Sequence, residues 1–496
     1  MKNRGLWRSV ALLWLGLSGA AGAVPVPVTG DAGPPDVEAR IARVEHGLST
    51  RVVVAGLADQ KMALSERMAF HQVPAVSIAL INNGRVEWAR AYGVVDTASR
   101  QPATTKTLFQ AGSISKAVTA MGALRLVEQG KLALDADANA QLAAWKIPQN
   151  EYTRGKPVTL RMLLNHSAGI TVHGFDGYAQ GQPVPTLLQV LDGEAPANSE
   201  PIRVDAVPGT TWRYSGGGYS VIQEMMIEAG GQPFDRYMRA AVLDPLQMAE
   251  STFAAPLPSG RHALTASAYD GSGHVVEGRW HVYPESAAAG LWSTPSDLAR
   301  VVLEVQQAEA GMSDKVLSPG MTSTMLTRGL GEYGLGFFVQ DLADRTSFSH
   351  TGGTAGFRSQ LYGYTRTGQG VVVMTNSDDG AALIDEILSS IAAEYGWPEF
   401  QVVKKVRIAG DAAINNQLAG DYQLLDVPAH IVAEGDRLYF QSNLFGLKRM
   451  ELFPQSRTAF FMTAQDMAIQ IERTDGGEVT GFKLLRGSNT YPAKRR

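Results

Sequence analysis

The order of apolar and polar positions divides the chain into stretches of distinct kinds. From Asp36 to Phe70 apolar residues recur at helical spacing, which predicts a helical segment. Two strand-like runs follow, AVSIALI and VEWARAYG, separated by Asn82-Asn83-Gly84-Arg85. An Asn-Gly step between such runs predicts a β-hairpin. The stretch from Ala111 to Gly130 reads as an amphipathic helix that stops at Gly130, a residue able to turn left-handed just past a helix end. Residues 131–280 alternate short helices with Pro/Gly loops, and one loop feeds a helix with Val221, Ile222, Met225 and Met226 at helical spacing. FSHTGGTAGFRSQLYGYT and GQGVVVMTNSD read as two neighbouring antiparallel strands, followed by a helix from Ala381 to Tyr395.

From about Leu418 short alternating strands with Gly/Asp turns predict a separate β-rich domain. Strands near both ends of the preceding region, with helices between them, predict an α+β arrangement. It comprises an antiparallel sheet flanked by helices, an all-helical region, and then a small β-barrel domain. The expected divisions are 1–23, 24–59, 60–398 and 399–496.

Composition narrows the function. At 496 residues, with 45% hydrophobic and 19% charged, the chain can bury large cores and resembles neither a disordered nor a fibrous protein. A formal charge of −4 lacks the basic footprint of a nucleic-acid binder, so no nucleic-acid partner is expected. Lys2, Arg4 and Arg8, the apolar run Val10 to Leu17 and Ala21-Gly22-Ala23 read as a cleavable signal peptide. That run is too short to span a bilayer, so the expectation is a periplasmic or secreted protein without a stable membrane anchor. Cysteine is absent, which excludes thiol catalysis and disulfides. No histidine starts an H-E-x-x-H motif and the nine histidines are scattered, so no metal or cofactor is expected. The expected partner is a small-molecule or peptide substrate, and the oligomeric state is left open.

Ser113 is the one serine that stands three residues before a lysine, Lys116. An N-capping serine with a solvated lysine is the ordinary reading of such a pair. The alternative is a nucleophile beside its base. A serine hydroxyl attacks a carbonyl well only when a neighbour takes its proton, and a lysine can do so only if burial or nearby charge lowers its pKa. The start of a helix also favours negative charge developing near the serine oxygen.

Ser113-Ile114-Ser115-Lys116, Tyr214-Ser215-Gly216 and His350-Thr351-Gly352, in that order, resemble the three motifs of serine β-lactamases and penicillin-binding proteins, S-x-x-K, Y-x-N and K/H-T-G. The likeness is greatest to the class C β-lactamase and DD-carboxypeptidase branch. LLNHSAGI, PGTTWRYSGGGYS, AAGLWSTPSDLAR and YGLGF support it over roughly residues 60–395. The resemblance implies a β-lactamase/transpeptidase-like fold and a serine hydrolase that acts through an acyl-enzyme on Ser113. Lys116 and Tyr214 would shuttle the proton. The N–H groups of Ser113 and Gly353 would form the oxyanion hole, and His350, Thr351, Gly352 and Gly216 would bind substrate. Gly216 stands where the pattern has asparagine, which moves weight from a β-lactam toward a D-amino-acid peptide or an ester. His350 stands where many relatives have lysine; it matches the carboxypeptidase-like H-T-G variant, but a histidine partly charged near neutral pH attracts a carboxylate less firmly. A catalytically weak penicillin- or peptidoglycan-binding protein, or an acyl transferase, would use the same site. His166 reads as structural, and the C-terminal region resembles the lipocalin-like barrel appended to many members of this branch.

Overall fold

The computed structural model describes residues 28–29, 35–57, 61–342, 344–425, 427–442, 449–486 and 489–496. The expected leader, residues 1–23, lies outside them. In chain order the strands that matter here are β1 (Val28–Thr29), β2 (Val52–Val54), β3 (Ala75–Asn82), β4 (Arg85–Gly93), β5 (Phe338–Asp341), β6 (Thr346–Thr354), β7 (Phe357–Tyr364) and β8 (Gly370–Thr375). The helices are α1 (Pro35–Glu45), α2 (Leu64–Phe70), α3 (Ile114–Glu128), α4 (Leu160–Leu164), α5 (Gly216–Gly230), α6 (Ser286–Ala289), α7 (Pro295–Glu309) and α8 (Gly380–Tyr395).

Seven strands form one antiparallel sheet in the order β1-β4-β3-β8-β7-β6-β5. Its middle joins segments nearly three hundred residues apart, because β3 pairs with β8 (Ala79 opposite Val372). The β3–β4 hairpin closes through Asn83 and Gly84, both at positive φ (53° and 69°), the conformation an Asn-Gly turn supplies. Both faces of the sheet are covered. Along β3, Ala75, Ala79 and Ile81 pack toward α3 and α7, whereas Val76, Ile78 and Leu80 pack toward α1, α2 and α8. A strand buried on both faces favours apolar residues at nearly every position, hence the run AVSIALI, broken only by the buried Ser77.

Three expectations change. The Asp36–Phe70 segment is two helices, α1 and α2, with β2 between them. Its three consecutive valines favour extended backbone, and β2 pairs in parallel with Val403–Lys405. The FSHTGGTAGFRSQLYGYT stretch is a hairpin of two strands, β6 and β7, turning at Ala355-Gly356, where Gly356 has φ +74°. Helix α3 is not amphipathic. It is buried from Ile114 to Leu124 because the sheet lies on one side and α5 and α6 on the other.

Eight antiparallel strands, from Gly420–Leu424 to Asn489–Arg495, close into a barrel when the first pairs with the last. Tyr422, Phe440, Ile469, Phe482 and Leu484 fill its interior. The barrel is fastened by an apolar seam of Val52, Val54 and Phe461 and by the ion pair of Lys405 with Asp466. Its residues Gln465, Asp466 and Arg486 share a cavity with Asp385 of α8, so it sits on the α8 side of the sheet, away from α3.

Candidate active site

Ser113 stands at the N-terminal boundary of α3, already in helical conformation, and its hydroxyl caps nothing. Lys116, one turn on, is 2% exposed and donates to Ser113 Oγ at 3.0 Å and to the Ala288 carbonyl at 2.8 Å. The pairing of an N-cap with a solvated lysine is thereby excluded. Burial alone pulls the Lys116 ammonium down to about 7, because charge is costly away from water. Thr119, a turn further on, binds the Ala287 carbonyl at 3.1 Å, so α6 holds this face of α3 by its carbonyls.

Glycine brings the serine to the sheet. A Cβ on Gly352 would lie 1.9 Å from the Ala111 carbonyl oxygen, and one on Gly112 would lie 2.5 Å from Gly353 N. Gly112 also has φ +54°. Ser359 on β7 donates to the Ala111 carbonyl at 2.9 Å and ties the approach down. The backbone at Gly112, next to Ser113, therefore lies against that at Gly353, whose amide is the second of the two named for the oxyanion hole. Strand β5 pairs only with residues 346–349 of β6, so beyond Ser349 that edge of β6 has no strand neighbour among the described residues. Thr351 and Gly353 are exposed there, whereas Gly352 is buried.

Tyr214 precedes α5, whose N-cap Ser215 accepts from the Gly218 N–H at 3.1 Å and donates to the Thr171 carbonyl at 2.6 Å. Burial pushes the Tyr214 phenol well above its usual range, opposed by its hydrogen bond with Ser113. Lys116 Nζ lies 5.0 Å from the centre of the Tyr214 ring. Alcohol, amine and phenol thus converge, although 98 residues separate Lys116 from Tyr214.

His350 is 1% exposed and faces inward. Its Nδ1 is 2.6 Å from the Thr351 carbonyl, which requires a proton on Nδ1, so Nε2 accepts from the Tyr333 hydroxyl at 3.0 Å. Burial first, then the nearby Lys116, bring it down to about 3. The ring is neutral and offers no cation for a substrate carboxylate. His166 belongs to the same cluster, with its ring 4.3 Å from that of Tyr214 and 4.7 Å from that of Tyr333. Its Nδ1 accepts from the Ser215 N–H at 3.2 Å, and burial drives its pKa well below the usual value. Tyr333, within YGLGF, and His166, within LLNHSAGI, both lie in stretches that carry the family likeness. That likeness was the available signal for them, and spacing alone gives none.

Gly216 opens α5. Its N–H donates to the His173 carbonyl at 2.9 Å, and a Cβ added there would meet Phe175 Cε2 at 3.0 Å. Glu285, just before α6, is 0% exposed and neither carboxyl oxygen has a hydrogen-bond partner among the described residues. Burial raises it to about 7. No group of three acidic or histidine side chains among the described residues is arranged to hold a metal, and no described helix is long and apolar enough to cross a membrane.

Comparison with known proteins agrees with this geometry. Penicillin-binding protein 4* of Bacillus subtilis (strain 168) is 24% identical over 448 residues, covering 84% of this chain and 93% of that protein. A Beta-lactamase of Pseudomonas fluorescens is 28% identical over 275 residues, covering 53% and 70%. The octameric penicillin-binding protein homologue from Pyrococcus abyssi superposes with a TM-score of 0.59 at 22% identity, covering 86% of this chain and 98% of that one, a likeness of fold. The Beta-lactamase family model matches residues 61–393, the span that holds Ser113, Lys116, Tyr214 and His350. By that match the chain belongs to the beta-lactamase family, within the β-lactamase and penicillin-binding-protein superfamily.

Proposed function

We propose that the protein is an exported serine hydrolase that forms an acyl-enzyme on Ser113 with an ester or a D-amino-acid peptide and releases it to water. Family membership supports a serine hydrolase or penicillin-binding role. The observation that carries the finer reading is Lys116, buried, 3.0 Å from Ser113 Oγ and poised near neutrality. Neutral Lys116 takes the hydroxyl proton as Oγ attacks the carbonyl carbon. The N–H groups of Ser113 and Gly353 receive the developing oxyanion. Tyr214 stays protonated and passes its proton to the leaving oxygen or nitrogen, regaining one from Lys116. Water then repeats the sequence on the ester at Ser113.

Neutral His350 supports substrates that do not depend on a carboxylate anchor at that position. The packed barrel interior and its place on the α8 side support a buttress in preference to a ligand carrier or a lid over the cleft. Intact-protein mass after exposure to a fluorophosphonate, a penicillin and an activated ester tests the proposal. An adduct on the wild type with at least the first and third, absent from Ser113→Ala, is expected. No adduct with any of the three on folded protein contradicts it. A long-lived penicillin adduct without turnover would favour the binding-protein reading.

A further inference from the structure

Beside Tyr214 the wall of the cleft has no free hydrogen-bond donor at the start of α5. A helix N-terminus ordinarily offers unpaired N–H groups. Here the Gly216 N–H is taken by the His173 carbonyl at 2.9 Å, the Gly217 N–H by the Val172 carbonyl at 3.1 Å, and the Gly218 N–H by Ser215 Oγ at 3.1 Å. Segment 171–175 is thus laid across the helix start. It brings Phe175 to within 3.0 Å of where a side chain at 216 would begin, and the His173 ring to 5.1 Å from that of Tyr214. Phe175 is only partly buried, so part of the residue remains accessible.

Resting on the serine-hydrolase reading, we propose that Phe175 is a specificity-determining residue. It replaces a polar side chain at position 216 with a hydrocarbon surface, so the site selects acyl groups that are apolar next to the reacting carbonyl over acylamino groups. The physical reason is asymmetric. A hydrocarbon acyl chain gains contact with the ring, whereas an amide oxygen in the same place gives up its water and meets no free N–H at the start of α5.

The test compares p-nitrophenyl pentanoate with the p-nitrophenyl ester of N-acetylglycine, which share a leaving group and nearly share a chain length. Each kcat/KM is divided by that ester's own rate of alkaline hydrolysis. The wild type is expected to prefer the pentanoate by roughly 10–100-fold. In Phe175→Ala the preference shrinks about tenfold, mainly through KM, Phe175→Leu retains it, and Phe175→Ala with Gly216→Asn reverses it. Fluorophosphonate labelling of Ser113 is measured on every variant. A labelled wild type with equal rates on the two esters, or a labelled Phe175→Ala with the preference intact, overturns the role of Phe175. An unlabelled and inactive wild type overturns the serine-hydrolase reading itself.

Discussion

Two buried sites on opposite faces of the central sheet, at Glu386 and at Lys116 with Glu285, treat charge in opposite ways. On the α8 face, Glu386 is 2% exposed, and burial pushes its carboxyl up. Arg67 answers with two bonds at 2.6 and 2.7 Å and His71 lies 3.0 Å away, so the net shift is downward and the carboxylate stays ionised. On the α3 face, Lys116 and Glu285 are buried as deeply, yet neither forms an ion pair among the described residues, and both are brought to about 7. Buried charge that is paired holds a structure together and ignores neutral pH. Buried titratable groups left without an opposite charge respond to it, which suits proton transfer.

The comparison breaks most visibly at the nucleophile. Ser113→Ala is expected to fold and to lose roughly 10⁶-fold in ester turnover, the usual cost of removing one member of a nucleophilic unit. Tyr214→Phe should retain the fold and slow by ~10²–10⁴-fold, the worth of a positioned proton carrier, read as kcat with KM little changed. On the other face the effect is on stability. Glu386→Gln strands the Arg67 guanidinium and should cost about 3–5 kcal/mol in urea unfolding, while kcat per folded molecule is unaffected.

Glu285 gives the smallest effect, and its sign follows from its raised pKa. The folded protein keeps a proton that the unfolded chain releases above its ordinary value of 4.5. Stability from this group is therefore greatest below 4.5, falls as pH rises through about 7, and is flat beyond. The loss is on the order of 3 kcal/mol. Glu285→Gln should abolish that decline when unfolding free energies at pH 5 and pH 8 are compared with those of the wild type.

Features carried by local chemistry were legible in the sequence. The turn at Asn83-Gly84, the left-handed glycine at 130 past the end of α3 (φ +69°), and the alternation of the barrel strands all follow from residue type and spacing. Ser113, Lys116 and Tyr214 stood out because acyl transfer needs those groups and the family keeps them in a fixed order. What depended on distant contacts was not legible. Nothing local says that Val52–Val54 leaves the helical pattern to pair with Val403–Lys405, or that α3 is buried on every side. The His350 motif is visible, but its neutrality comes from burial and from the nearby Lys116, and Phe175 reaches Gly216 only because segment 171–175 folds over α5. A missing partner, as at Glu285, cannot be read from one dimension at all.

The contrast between the faces turns on the proton of Lys116. The pH dependence of Ser113 labelling by a fluorophosphonate reads it, with wild type beside Lys116→Ala, Glu285→Gln and Glu386→Gln. The account predicts a rate that climbs as pH passes through about 7 and levels above it, as neutral amine accumulates. That limb should persist in both carboxyl variants and vanish in Lys116→Ala. A wild-type rate still rising toward pH 10, as for an ordinary lysine, or a limb near 7 that survives in Lys116→Ala, would contradict it.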